Sequence, residues 1–107
     1  MLISKSKAYD AGDIVSFKMA NGDEIVARVV EDNGMDWLIE RPTTVAPTAK
    51  GIMLIASLMT AEPDFKTHIS KQHVLFHSAS AKEVQDYYIQ TTTGIQTVSA
   101  GGIVAGI

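Results

Sequence analysis

Two short stretches hold most of the residues able to do chemistry. Asp32, Asp36 and Glu40 place three carboxylates around Asn33, Gly34 and the single tryptophan, Trp37. His68, His73 and His77 follow later, with Lys71 and Gln72 among them. Carboxylates can run acid–base chemistry, imidazoles can bind zinc, and a lysine among polar residues can meet phosphate. Spacing decides between these chemistries. On a strand, His73 and His77 share a face but stand ~13 Å apart along the axis. Zinc needs its ligand atoms at ~2 Å, so these histidines are expected at a polar strand edge or a pore lining, with no metal. Asp36 and Glu40 also share a strand face, yet no nucleophile or base accompanies them. A solvated acidic face is expected there, and Trp37 is assigned to the core. Lys71, Gln72 and His73 are the best nucleic-acid candidate. One lysine per subunit becomes a basic collar if a ring repeats it; alone it is an ordinary exposed lysine. Neither a glycine-rich phosphate loop nor the spacing of a catalytic triad occurs. The chain reads as a non-enzyme without a cofactor.

Composition sets the frame for these residues. A length of 107 residues favours one domain. A hydrophobic share of 46% is too high for a disordered chain. The formal charge of −3 lacks the basic excess of a non-specific nucleic-acid binder, so such a site would be a local patch. With 0 cysteines there are no disulfides, zinc ribbons or thiol nucleophiles. The N-terminus has no apolar run of signal-peptide length. The longest apolar stretch, Ile52 to Met59, falls far short of the ~20 residues of a membrane helix. A soluble cytoplasmic protein is expected.

The elements that must position the candidates follow from periodicity. Residues 1–10, with Lys5 and Lys7, read as an arm. Val15, Phe17 and Met19 alternate with Ser16 and Lys18, which predicts a half-buried strand. Asn21-Gly22 suits a tight hairpin turn. From Glu24 to Glu31 both faces are largely apolar, which predicts a bent strand covered on two sides, with small Ala27 easing the bend. A turn at Asp32-Asn33-Gly34 leads to a third strand, Met35 to Glu40. Pro42 and Pro47 argue against a long strand, so Thr43 to Gly51 is expected to be an extended loop. Ile52 to Met59 is apolar on both faces and reads equally as a core strand or a subunit contact. Residues 66–77 form one or two short strands with a break at Lys71-Gln72. Ser80 and Glu83 have capping-box spacing. Val84, Tyr87, Tyr88 and Thr91 share a helix face, and Gly94 suits a C-cap. The last charged residue is Asp86; the tail from 94 to 107 is uncharged. About five short strands and one helix predict a small, strongly bent barrel: barrel at about 10–78, helix at about 80–93, then the tail. Its free strand edges need partners, and copies of the chain can supply them in a ring.

This pattern resembles a known family. Gly12, Val15, Phe17, Met19, Gly22, Ile25, Val29, Asp32, Met35, Asp36 and Leu38 resemble the first motif of the Sm-like (LSm) proteins, a glycine-punctuated hairpin ending in Asp-x-x-Met-Asn. Ile69 to Phe76 resembles the Tyr-Lys-His segment of the bacterial Sm-like RNA chaperone more than the Arg-Gly of eukaryotic members. The segment PTAKGIMLIASLM and the helix ending YYIQTTTGI are similar to small Sm-like proteins of tailed phages and cyanophages. The resemblance covers residues 10 to 94.

It implies a five-stranded bent barrel of SH3 type, rings of about five to seven subunits, and single-stranded RNA bound around the pore. The RNA-binding residues it implies are Asn33, Asp36, Lys71 and Gln72. Several positions depart from the family. Gly34 stands where the stacking side chain belongs. Asp36 replaces the base-reading asparagine; it can accept a hydrogen bond but, when ionised, cannot donate one. Lys71 supplies the cation without arginine's planar fork. Ala27 replaces a glycine, and a helix follows the barrel where the family has one before it. The primary expectation is a ring that binds RNA in processing or regulation, in the host cytoplasm if the chain is of phage origin. The alternative is a non-enzymatic assembly ring that holds a phage or host protein without RNA.

Overall fold

The computed structural model describes residues 8–93. The first part of the arm, the Gly94 cap and the uncharged tail lie outside the described residues. Six strands, a 3-10 turn and one helix follow in order: β1 (Ile14–Met19), β2 (Glu24–Asp32), β3 (Asp36–Thr48), β4 (Gly51–Ala56), β5 (Lys66–Ser70), the turn Lys71–His73, β6 (Val74–Ala79) and α1 (Lys82–Thr93). All strand pairs are antiparallel, in the spatial order β4-β3-β2-β1-β6, with β5 also paired to β3. The described residues form a curled β structure followed by one helix. No helix among the described residues is long and apolar enough to cross a membrane.

Six strands stand where about five were expected because residues 66–77 form two strands, one of the two readings of that segment, and the break at Lys71-Gln72 carries the chain from pairing with β3 to pairing with β1. The Ser70 hydroxyl accepts the Gln72 N–H at 3.2 Å and starts the 3-10 turn. This turn joins β5, on one side of the curl, to β6 on the other. The Ala20 N–H donating to the His73 carbonyl at 2.8 Å helps fasten that junction.

The Thr43–Gly51 segment, expected as an extended loop, is strand apart from a turn at Ala49-Lys50. β3 runs to Thr48 through both prolines, and β4 begins at Gly51. A proline disrupts a ladder only where its missing N–H is needed. Beyond Thr44, β3 pairs with β4 alone, so Pro47 sits in a segment with an open edge. Pro42 sits in a bulge, where β3 spends two residues opposite Ala27, between the pairs Arg28↔Glu40 and Val26↔Thr43. Arg41 there has φ 49°, the one positive φ at a non-glycine among the described residues. That left-handed step bends β3, so its first half pairs with β5 and its second half with β4.

The two apolar faces of β2 serve two cores, as its sequence predicts. Ile25, Ala27 and Val29 pack inside the curl with Val15, Phe17, Trp37, Ile39 and Ile69. Val26 faces outward and packs with Ile14, Leu54 and Tyr88, under α1. The predicted helix face is the buried one: Tyr88 is buried, and Val84 and Tyr87 pack beside it. The Tyr88 hydroxyl repairs the bulge. It accepts the Arg28 N–H at 3.2 Å and lies 2.9 Å and 3.1 Å from the carbonyls of Glu40 and Arg41, one of which takes its proton. The Thr43 hydroxyl, donating to the Val26 carbonyl at 2.8 Å, closes the same gap. Ser80, assigned by spacing to a capping box, lies with its hydroxyl 2.7 Å from Ser16 Oγ and so ties the helix start to β1.

The Ile52–Met59 segment is core in part. Leu54 is fully buried core, whereas Ile52, Leu58 and Met59 are exposed.

Candidate functional site

The β2–β3 turn carries half of the expected site. Gly34 has φ 93°, a conformation that suits glycine, and its N–H donates to Asp32 Oδ1 at 2.9 Å. The Asn33 N–H donates to the Asp36 carbonyl at 2.9 Å and closes the hairpin. Asn33 Nδ2 donates to Asp36 Oδ1 at 3.0 Å, and His68 Nδ1 lies 3.2 Å from the same oxygen. These two hydrogen bonds, Asn33 first, hold the Asp36 carboxyl below the usual carboxylate range.

The 3-10 turn carries the other half. β5 pairs with β3 in the register Asp36↔Ser70, so Lys71 and Gln72 begin one step past Asp36. The Lys71 N–H donates to the Met35 carbonyl at 3.1 Å, which joins the two turns through the backbone. Its ammonium donates to Asp32 Oδ1 at 2.8 Å and lies 4.7 Å from the centroid of the Trp37 ring, a cation–π distance. Trp37 is core, as expected, and also the floor beneath Lys71. Gln72 is exposed on the same turn.

Asn33, Asp36 and Lys71 therefore lie at one lip, with Gln72 exposed on the adjoining turn, although they come from segments far apart in sequence. Three further residues belong to it. Asp32 is the carboxylate that holds Lys71, His68 is the imidazole beside Asp36, and Met35 projects from the turn with 74% of its surface exposed. The β3–β5 register pairs Leu38 with His68, and no spacing within either strand signals that register.

The lip opens onto a cleft of about 290 Å³ lined by Asp32, Trp37, Lys71, Leu75 and His77. His77 stacks edge-on against Trp37 at 4.9 Å, and its Nδ1 lies 2.6 Å from the Tyr9 hydroxyl. Of the three histidines, His68 and His77 thus have separate partners. Among the described residues, no group of three or more His, Asp or Glu side chains is placed to hold a metal ion.

Chemically, the lip is a compact array of polar groups around an apolar floor. Its one ammonium faces two carboxylates, so it has little surplus positive charge. It offers hydrogen bonds to base edges better than it offers a phosphate track. Neither a protein-family model nor a curated protein matches the chain.

Proposed function

We propose that this chain is a subunit of an Sm-like homo-oligomeric ring that meets single-stranded RNA at the lip formed by the β2–β3 turn and the 3-10 turn. The observation that carries this reading is the joining of the β2–β3 turn, which holds Asn33 and Asp36, to the 3-10 turn, which holds Lys71 and Gln72, through the 3.1 Å Lys71–Met35 backbone bond and the 2.8 Å Lys71–Asp32 contact. Ring closure is supported by the open strand edges. Among the described residues β4, β5 and β6 each pair with one strand only, and β6 exposes Leu75 and Phe76 at 64% each. Pairing β6 of one copy with β4 or β5 of the next joins two such edges in a closed, head-to-tail assembly.

RNA contact at this lip is polar. No ring stands at Gly34 to stack on a base, and Lys71 reaches a phosphate only by exchanging Asp32 for it. Labelled U-rich and A-rich oligomers titrated at low salt test the proposal. Lys71→Ala should weaken binding and lower the salt slope by about one for each phosphate that the ammonium neutralises. Absence of binding to either oligomer at low salt rules out the RNA reading.

A second reading has its own observation. The Lys71 ammonium is already paired with Asp32, and Asp36 with His68, which suits a face that holds a protein. Capture of partners from a lysate before and after nuclease treatment separates the two: partners lost with nuclease support RNA, and partners retained support protein contact.

A further inference from the structure

An apolar groove of about 310 Å³ runs beside α1 and shares no residue with the lip. Pro42, Leu54, Leu58, Met59 and Phe65 line it. Leu58 and Met59 are 50% and 68% exposed, large apolar side chains left in water beside the groove. Among the described residues that line it, only Arg41 and Glu62 carry charge. Arg41 is held at φ 49°, where a glycine would cost less. Strain kept at a position that a cheaper residue could fill implies a use for the side chain. Ion pairing within the chain is a weak use. Arg41 Nη1 lies 3.4 Å from Glu40 Oε2, partly exposed, and Lys66 Nζ lies 3.9 Å from the other oxygen of that carboxylate. Arg28 stands opposite Glu40 in the β2–β3 register. One carboxylate thus serves three cations, and the Arg41 guanidinium keeps donors to spare.

We propose that this groove binds a small amphiphile with one anionic group, of the class of a medium-chain aliphatic carboxylate. Its hydrocarbon chain lies on the apolar lining, and Arg41 takes its carboxylate through two parallel N–H donors. The size fits, since about 310 Å³ stands at the small end of the roughly 300–1,000 Å³ of ligand pockets. The charge fits as well. A guanidinium beside an apolar surface favours an anion with an apolar body over a neutral or cationic amphiphile. Glu62 is exposed, so water screens its carboxylate from that anion. Neither RNA binding nor the ring is needed for this site.

Octanoate is the probe, with octanol as its neutral counterpart, each titrated into the full chain by calorimetry at low salt. The parent should bind octanoate about tenfold or more tightly than octanol. Arg41→Gly suits the left-handed backbone and removes the cation. It should weaken octanoate by about ten- to a hundredfold and leave octanol unchanged. Leu58→Ser with Met59→Ser, both at exposed positions, should weaken both probes. Absence of octanoate binding to the parent at millimolar concentration overturns the proposal, as does equal affinity for the two probes. An Arg41→Gly variant that binds octanoate like the parent removes the assigned role of the guanidinium. Undiminished binding to the double serine variant places the ligand outside the groove and overturns the proposal as well.

Discussion

At the scale of single residues, Tyr88 does the most for the fold. Its ring fills the outer core, and its hydroxyl supplies the hydrogen bonds that the β2–β3 ladder loses at the bulge. Burial, the largest cause, pushes the phenol from 10.0 up to about 12. Below pH 10 the phenol is neutral in both the folded and unfolded chains, and its contribution is fully present. Between 10 and 12 the unfolded phenol ionises while the folded one keeps its proton. The unfolded state then binds fewer protons, so stability falls as pH rises. Tyr88→Phe should cost about 1–3 kcal/mol at neutral pH by stranding buried backbone groups. It should also lose less stability than the parent between pH 10 and 12, as read from urea midpoints across that range. An equal alkaline slope in both proteins would show that the hydroxyl is not held as described. The burial of Tyr88 was legible, because Val84, Tyr87, Tyr88 and Thr91 recur at helical spacing. The task of its hydroxyl was not, because the bulge it repairs leaves no mark in the sequence of α1. The same holds at the lip. Lys71 stood out as a cation among polar residues, but its pairing with Asp32 depends on a register between strands far apart in the chain.

At the scale of elements, the decisive feature is the bend in β3. Alternation predicted β1, β2 and the first half of β3 well, and it predicted both covered faces of β2. It missed the second half of β3 because Pro42 and Pro47 normally end central strands. Both are tolerated here because one lies in the bulge and the other where β3 has a single neighbour. The bend itself was hidden because the left-handed residue is an arginine and not a glycine. At φ 49°, Arg41 carries a backbone cost that glycine would not. Its contact with Glu40, at 3.4 Å and partly exposed, offsets little of that cost. Arg41→Gly should therefore leave stability unchanged or raise it by up to about 1 kcal/mol. Arg41→Val, with a β-branched side chain in the same conformation, should lower it by about 1–2 kcal/mol. Chemical denaturation of both variants checks the order. A valine variant as stable as the glycine variant would mean that β3 turns by some other means.

At the scale of the whole molecule, the two ends of the sheet matter more than its interior. A strand edge bearing Leu75 and Phe76 in water is an aggregation hazard unless something covers it. β4 and β5 are the complementary loose ends, since each pairs with β3 alone among the described residues. Phe76→Lys places a charge on the β6 edge without touching either core, because Phe76 is largely exposed in the single chain. The variant should keep its circular dichroism spectrum while native mass spectrometry shifts from a multimer to the monomer. A parent protein that is already monomeric at high concentration would remove the ring altogether. The same variant ties assembly to RNA. A ring offers several lips to one strand, so each contact after the first forms at high effective concentration. If a ring forms, Lys71→Ala removes one cation per subunit, whereas Phe76→Lys removes the multivalency and leaves each lip's residues in place. If RNA is held by the ring, the edge variant should lose about tenfold or more in affinity for a long oligomer. For an oligomer too short to reach a second lip, it should bind as the parent does. Equal losses on both oligomers would place the RNA contact on β6 itself instead of at the lip.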